Sequence, residues 1–244
     1  MTTARSEFFK GIKAELPILI AVIPFGMIYG VLSLDAGLSA IQTQAMSVIV
    51  FAGSAQFIMA QLFATPTPAL VIIITALLVN LRHALYSASV YPYIKHLPFS
   101  LRSGLAYLLT DEAYAVSIIH YNQPGKVKYR HWFFLGAGLA MWSTWQLSTA
   151  AGILIGSLIP TSWPLEFFIP LTFIALVVPS LKDWPSLAAS LTGGLVSVVA
   201  FGLPFRLGLI VAAFAGIGAG LFLEEFGQRA LKIRRAQHRG DMIE

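Results

Sequence analysis

Long apolar stretches with very few charged side chains constrain the fold of this chain more than any other feature of its sequence. A helix needs roughly 20 mostly apolar residues to cross a bilayer. Eight stretches of that order follow one another along the chain, at 16–34, 41–63, 69–91, 101–121, 132–159, 165–181, 187–201 and 207–224. The sequence therefore predicts an all-α, polytopic membrane protein with about eight spans. Seven spans are the alternative, because 187–201 is short and 41–63 is polar enough to be re-entrant.

Composition excludes the other broad classes of protein. Of the 244 residues, 57% are hydrophobic and 11% are charged, whereas a soluble domain carries about 25% charged residues. So few charges cannot solvate a free globule, and they also exclude a disordered chain and a nucleic-acid-binding module, despite the net charge of +5. The chain has no cysteine and none of the motifs for nucleotide, zinc or nucleophilic-serine chemistry. We therefore expect no enzymatic activity, cofactor or metal.

The distribution of basic residues predicts the orientation. With eight spans and a cytoplasmic N-terminus, twelve of the sixteen Lys and Arg residues fall inside, Lys95, Arg102 and Arg206 fall outside, and Arg82 lies within a span. This asymmetry is typical of an inner-membrane protein. We expect a cytoplasmic segment 1–15 without a cleavable signal peptide. It is followed by a single transmembrane domain, 16–225, which is embedded in the lipid bilayer, and by a basic cytoplasmic tail, 226–244. Both termini are thus predicted to be cytoplasmic.

Ionisable side chains interrupt the third and fourth stretches. Residues 80–83 read Asn-Leu-Arg-His, and Asp111 and Glu112 lie near the middle of 101–121. Each charge in a span costs roughly 2.5–3.5 kcal/mol, so it needs a physical reason to be there. The two helices are consecutive and antiparallel, and at about 1.5 Å per residue Arg82 and Asp111 lie at similar depths. We expect these two side chains to meet.

One arginine that faces two carboxylates predicts more than a structural ion pair. A buried pair alone is weak evidence for stabilisation, because desolvation can exceed the Coulomb gain. A second carboxylate without its own cation is readily protonated, which makes it a candidate proton carrier. We predict a substrate site that includes Asn80, Arg82, Asp111 and Tyr114, and proton coupling by Asp111, Glu112 and His83. A purely structural lock between the helices is the alternative.

Helical spacing places Tyr107, Asp111 and Tyr114 on one face of the fourth stretch. We therefore expect Asp111 to point with the tyrosines into a polar cavity. The sequence does not decide which of the two carboxylates, Asp111 or Glu112, faces the substrate.

The second stretch contains an unusual number of polar residues. Phe51-Ala52-Gly53-Ser54-Ala55-Gln56 lies at its middle, and glycine there can unwind a helix and free backbone groups to bind an ionised substrate. We therefore add Gly53, Ser54 and Gln56 to the predicted substrate site, with a polar helix–helix seam as the alternative. For Gln42, Gln44 and Gln61, packing or contact with a partner is the preferred interpretation.

Three further patterns predict local structure. Pro17 and Pro24 predict a kinked or broken first helix. The pairs Gly152/Gly156 and Gly216/Gly220 predict close helix packing. Four isolated histidines are expected in loops or in the tail: His96, His120, His131 and His238.

Four motifs occur in the order and at the intervals of a known family. They are PFGMIYG at 24–30 after Pro17, VFAGSAQF at 50–57, VNLRHALYS at 79–87 and LLTDEAYA at 108–115. In these motifs, over about residues 11–185, the chain resembles the AzlC-type permeases, the large subunits of two-component branched-chain amino acid exporters. The last two stretches are similar only in hydrophobicity.

This resemblance implies an inner-membrane permease that exports valine, leucine, isoleucine and sometimes methionine. It also implies a separately encoded, small AzlD-like membrane subunit as partner. Together with the buried charges it predicts a secondary transporter coupled to protons. Two alternatives stay open: a channel in which residues 53–56 form a re-entrant filter, and a scaffold subunit that does not itself transport.

Overall fold

The computed structural model describes residues 3–123, 129–156, 181, 183–203 and 207–240, with side chains described as far as 225. Over these residues the chain is helical and contains no strand, which confirms the predicted all-α class. It forms two compact units, Met1–Phe168 and Ile169–Glu244. The predicted stretch 165–181 lies, except for its last residue, outside the described residues.

The first unit contains two long helices and three pairs of short ones. The long helices are α1 (Ala4–Asp35) and α8 (Arg130–Gly156). The short pairs are α2 (Ala40–Val50) with α3 (Gly53–Phe63), α4 (Ala69–Val79) with α5 (Leu81–Ile94), and α6 (Phe99–Tyr107) with α7 (Asp111–Tyr121). The second unit contains α9 (Trp184–Val199), a 3₁₀ turn (Ala200–Gly202) and α10 (Leu207–Gly240).

Four helical segments of the described residues are long and apolar enough to cross a membrane. They are Ala4–Asp35, Ala69–Ile94, Trp184–Gly202 and Leu207–Glu225. The first continues without interruption through Pro17 and Pro24. Of the two outcomes predicted for it, kink and break, the break is therefore wrong: each proline removes one backbone hydrogen bond, but the tight packing of α1 holds the helix together.

Glycines allow α1 and α8 to pack side by side at very short range. A Cβ atom added at Gly30 would lie 2.6 Å from the Thr149 carbonyl oxygen, and one at Gly152 would lie 2.1 Å from the Met27 carbonyl oxygen. At the other end, a Cβ at Gly136 would lie 2.1 Å from the Phe8 carbonyl oxygen. The two helices therefore run parallel with their backbones in contact, as small residues permit in membranes. The close packing predicted for Gly152 is confirmed.

The second unit uses the same device in its helical hairpin. A Cβ at Gly216 would lie 2.7 Å from the Ala189 carbonyl oxygen, so α9 and α10 also approach closely. Asp183 caps α9 by accepting a hydrogen bond from the Ser186 amide at 2.8 Å. Because this bond favours the charged carboxylate, it holds the pKa of Asp183 below its usual range.

Each of the three pairs of short helices is one apolar stretch interrupted near its middle. The breaks lie at 51–52, at Asn80 and at 108–110. The helices α2, α3 and α4 each have 11 residues, about 16 Å at 1.5 Å per residue, or half a bilayer. The breaks therefore fall at a similar depth along their stretches, and this arrangement positions the candidate site.

Candidate functional site

The break between α2 and α3 is made by an unusual backbone conformation. Phe51 adopts φ 38°, in the left-handed region, and Ala52 is extended. This conformation costs a residue other than glycine roughly 1–2 kcal/mol, and such strain is concentrated at functional sites. The helix α3 then starts at Gly53, where no side chain caps it. Gly53 itself lies under Trp145, whose ring would be 3.0 Å from an added Cβ.

The break between α4 and α5 consists of Asn80 alone. The backbone N–H of Asn80 still donates to the Ala76 carbonyl. With φ −85° and ψ −1°, however, Asn80 ends α4, and no side chain caps the start of α5. Arg82 consequently lies in the first turn of α5. A cation is disfavoured at this positive end of a helix, so its position requires a nearby anion.

The break between α6 and α7 supplies that anion. Thr110 is extended and caps α7 by accepting a hydrogen bond from the Ala113 amide at 3.2 Å. Asp111 and Glu112 follow in the first turn, where the helix dipole favours negative charge. The prediction of one continuous helix through Tyr107, Asp111 and Tyr114 is wrong, because Leu108 and Leu109 turn the chain out of helical geometry before Thr110.

Tyr107 is separated from Asp111 by this break and has a structural role. Its hydroxyl donates to the Val48 carbonyl at 2.6 Å and accepts from the Trp142 indole at 2.7 Å. Its ring lies 5.9 Å from that of Phe51. These contacts join the end of α6 to the end of α2, so two of the breaks are neighbours.

The three half-helix starts converge in one set of contacts, here called the Arg82 cluster (Ser54, Arg82 and Asp111). Arg82 Nη2 donates to Ser54 Oγ at 2.5 Å and pairs with Asp111 Oδ2 at 2.9 Å. The expected meeting of Arg82 and Asp111 is confirmed. Their side chains are 36% and 37% exposed, so the pair is not sealed inside protein.

The Arg82 cluster has unused hydrogen-bonding capacity. Within the described part of the chain, no group bonds to the buried atoms Arg82 Nε, Asp111 Oδ1 or Asn80 Oδ1. Buried polar atoms are normally satisfied. The arginine engages its carboxylate through Nη2. The ion pair therefore keeps one unused donor, Arg82 Nε, and one unused acceptor, Asp111 Oδ1.

Aromatic side chains surround the cluster. Tyr86 and Tyr114 stack with ring centroids 4.4 Å apart, and the Tyr114 hydroxyl donates to Ser89 Oγ at 3.0 Å. Tyr86 also interacts electrostatically with Asp111. Tyr114, a predicted substrate residue, therefore lies beside the cluster as part of a stacked pair rather than alone. His83 packs edge-on against Tyr86 at 5.9 Å and interacts electrostatically with Arg82 and Asp111.

The two adjacent carboxylates take different directions. Asp111 pairs with Arg82, whereas Glu112 lies on the side of α7 toward α1 and interacts electrostatically with the buried carboxyl of Glu15. The structure thus places Asp111 in the Arg82 cluster and Glu112 behind it, a distinction that spacing could not make.

The amides of the second stretch divide between packing and the site. The Gln44 amide donates to Gln146 Oε1 at 2.7 Å, and Ser47 and Thr149 hydroxyls lie 3.3 Å apart. Gln42 completes a capping box with Ser39 at the start of α2. These contacts agree with the preferred packing interpretation of Gln42 and Gln44. Gln56 is fully buried beside Tyr29 of α1, whereas Ser54, two residues earlier, contacts Arg82.

A largely apolar cavity of about 280 Å³ lies between α5, α6 and α8. Its walls include Val90, Tyr91, Ile94, Leu105 and Phe134, with Arg102 and Ser87 as polar members. Leu109, in the break just before Asp111, also lines it. The cavity therefore extends from the α6–α7 break along α6 and the facing part of α5.

Sequence reasoning missed several residues of this region. Tyr86 and Ser89 were not assigned because aromatic and hydroxyl side chains are common in spans; only their spacing of four and seven residues from Arg82 on α5 could have indicated them. Glu15 was assigned to the N-terminal segment, yet its side chain is fully buried. His120 was expected in a loop, but it lies in the last turn of α7.

Comparison with known proteins gives related sequences for most of the chain. The family model described as AzlC protein matches residues 17–159. The inner membrane protein YgaZ of Escherichia coli is 29% identical over 88% of each chain. An uncharacterized membrane protein of Archaeoglobus fulgidus is 33% identical over 86% of this chain and 92% of its own length. The branched-chain amino acid transport protein AzlC of Bacillus subtilis is 25% identical over 81% of this chain and 80% of its own length. No solved structure matches the chain.

Proposed function

The chain belongs to the AzlC protein family, and on that premise we propose that it is a secondary transporter that exports branched-chain amino acids from the cell in exchange for protons. The proposed substrates are valine, leucine and isoleucine, and sometimes methionine. We place the protein in the inner membrane, with both termini in the cytoplasm. A relative of this family, 25% identical, is named as a branched-chain amino acid transport protein.

The observation that carries this proposal is the convergence of three half-helix starts on Arg82 and Asp111. Transporters commonly bind ionised substrates at helices broken near the membrane midplane, where backbone N–H groups point at anions. Here the starts of α3 and α5 carry no side-chain cap. The backbone amides at these uncapped starts and the guanidinium of Arg82 suit a carboxylate, and Asp111 suits an ammonium group.

An amino-acid zwitterion can replace the ion pair without adding net charge to the site. Its carboxylate takes the place of Asp111 on Arg82, and its ammonium takes the place of Arg82 on Asp111. The idle Arg82 Nε and Asp111 Oδ1 provide further bonds in that arrangement. Because each charge of the protein exchanges one partner for another, neither Arg82 nor Asp111 is left without a partner when the substrate binds.

The apolar cavity beside the cluster supports an aliphatic side chain in the substrate. Its described walls are mainly hydrophobic, so burial there would gain roughly 0.8 kcal/mol for each CH₂ group. Such a cavity offers few groups that distinguish one branched chain from another, which supports a small set of related substrates. We further propose a small AzlD-like membrane subunit as partner.

Counterflow in proteoliposomes tests the transport function. Vesicles that contain the chain with its AzlD-like subunit are loaded with unlabelled valine, and the entry of labelled valine, leucine and isoleucine is measured. We expect saturable exchange for these three and none for aspartate or lysine. Asp111→Asn combined with Glu112→Gln should abolish the exchange, whereas Asp35→Asn, at the exposed end of α1, should leave it unchanged.

Three outcomes would contradict the proposal. Undiminished exchange in the double variant would exclude the carboxylates from the mechanism. Conductance that does not saturate with substrate would favour a channel. If vesicles with the small subunit bind valine and vesicles with this chain do not, this chain is a scaffold.

A further inference from the structure

A second set of ionisable groups, buried or half-buried, lies between α1 and α7 and adjoins the Arg82 cluster only through Glu112, the neighbour of Asp111. Its members are Glu7 and Glu15 on α1 and Glu112 and His120 on α7. The His120 imidazole lies 2.8 Å from Glu7 Oε2 and stacks on Phe133 at 3.9 Å. Eight residues farther along α1, Glu15 faces Glu112, which is eight residues before His120. The helices are therefore antiparallel here and bring two pairs of ionisable groups together.

If Glu15 and Glu112 were both ionised, their surroundings would supply no cation to balance the two negative charges. The side chain of Glu15 is fully buried, and within the described residues neither of its carboxylate oxygens has a hydrogen-bond partner. Glu112 is itself beside Asp111 and Arg82. Because Arg82 is already engaged by Asp111, two ionised carboxylates here would share no further cation.

No other described group facing Glu15 relieves that charge. Residues 137–141 of α8, which continue the contact of Gly11 with Ala137, are Ala-Gly-Leu-Ala-Met and carry no ionisable side chain. On α1 itself, Lys13 is exposed and Lys10 is bound to Glu7 at 2.8 Å, two turns away. From α7, Glu112 and Asp111 are the acidic neighbours. A proton shared by Glu15 and Glu112 is the simplest way to leave one negative charge instead of two.

We propose that Glu15 and Glu112 form a proton-carrying pair that connects the Arg82 cluster to the Glu7–His120 pair near the N-terminal end of α1. The two pairs are about 12 Å apart, eight residues at 1.5 Å each. Ser117 lies between them on the buried face of α7, and its hydroxyl has no protein partner within the described residues. Glu7 and His120 end the path, because Lys10, which pairs with Glu7, is about half exposed.

This inference rests on the proposed transport function and adds residues outside the substrate site. When Glu112 gives its proton to Glu15, the carboxylate left on Glu112 lies next to Arg82 and competes with Asp111 for that cation. The proton then passes from Glu15 toward His120, and Glu112 takes up a new proton from the side of the Arg82 cluster, so that the pair returns to one negative charge. Protonation between the helices thereby changes the charge balance that a zwitterion meets at Arg82.

The test separates coupling from substrate exchange. Proteoliposomes with wild-type chain and its small subunit are compared with Glu15→Gln in two assays: valine counterflow at equal pH, and valine accumulation driven by an imposed pH gradient. We expect Glu15→Gln to keep counterflow and lose the pH-driven accumulation. The matched control Asp35→Asn, an exposed carboxylate on the same helix, should keep both.

Infrared spectroscopy of the purified chain provides a readout that does not depend on transport. A shared proton gives wild type a carboxylic-acid carbonyl band at neutral pH, shifted in D₂O, which Glu15→Gln should lose and Asp35→Asn should retain. Ser117→Ala should keep this band and slow the pH-driven accumulation. Survival of both the band and the pH-driven accumulation in Glu15→Gln would overturn the proposal. Absence of wild-type counterflow would instead contradict the transport function, and the infrared result would still stand on its own.

Discussion

At the scale of single residues, the arrangement around Arg82 depends on the shape of guanidinium as much as on its charge. One nitrogen, Nη2, serves both Ser54 and Asp111, and Nε stays available. A planar group with several donors can hold its internal partners while it offers a further donor to a carboxylate. The ammonium of lysine is a single point with rotatable donors and cannot reproduce this fork.

Replacement of Arg82 by lysine should therefore weaken valine binding although the charge is kept. The loss of charge-assisted hydrogen bonds is worth about 1.5–3 kcal/mol, which corresponds to about ten- to a hundredfold in affinity. Thermal unfolding of the purified chain in a valine titration measures this change, because a ligand of the native state raises its stability. Arg5→Lys, at the exposed start of α1, is the control and should bind like wild type. Equal affinity in Arg82→Lys would show that charge alone is sufficient.

At the scale of elements, continuous and interrupted helices have different tasks. The two long helices, α1 and α8, contact each other backbone to backbone and supply a stiff support. The interrupted pairs place three helix starts, two of them uncapped, and their charged side chains near the middle of the apolar stretches. In a membrane such irregular backbone is tolerated only where protein or a water-filled cavity surrounds it, so the support and the breaks depend on each other.

Adding a side-chain atom where the backbones of α1 and α8 touch should destabilise the first unit. In Gly152→Ala the new Cβ would meet the backbone of Met27, which cannot move aside like a flexible side chain, and overpacking costs about 1–3 kcal/mol. Gly104→Ala is the matched control, because an added Cβ on α6 meets no atom within 4 Å and a helical alanine is favoured by up to about 1 kcal/mol. Melting temperatures in detergent compare the two. A stable Gly152→Ala variant would refute the tight contact.

The cap of α7 should affect both stability and transport, because the residue after it is Asp111. Thr110→Ala removes the hydroxyl that accepts the Ala113 amide and should lower the free energy of unfolding by about 1 kcal/mol. It should also reduce valine exchange, since Asp111 loses its fixed position. Thr110→Ser retains the hydroxyl and should restore both properties. If Thr110→Ala transports normally, the cap does not position Asp111.

At the scale of the whole molecule, the orientation in the membrane determines which compartment the proton path and the apolar cavity open toward. The charge distribution predicts that the connection between α5 and α6 is outside and that the residues after α7 are inside. The Glu7–His120 pair would then open toward the cytoplasm, and the apolar cavity between α5 and α6 toward the outside.

Cysteine labelling tests this orientation directly, because the chain has no cysteine of its own. Ser100→Cys and Gln123→Cys place single thiols at exposed positions near opposite ends of the α6–α7 pair. A membrane-impermeant maleimide should label Ser100→Cys in intact cells, and Gln123→Cys only after permeabilisation. The reverse pattern would invert the proposed orientation, and with it the compartments that the Glu7–His120 pair and the apolar cavity open toward.

Composition and hydropathy were enough to fix the class of the protein and to single out the residues that needed a physical explanation. Apolar stretches of bilayer length have few folding options, and charges inside them are costly enough to be conspicuous, so the all-α fold and the meeting of Arg82 with Asp111 were predictable. Four features were not predictable: which carboxylate faces Arg82, the interruption before Asp111, the burial of Glu15, and the approach of Glu15 to Glu112. These depend on where breaks rotate a helix and on which helices become neighbours. Such contacts join residues up to about a hundred positions apart, and only tertiary packing decides them.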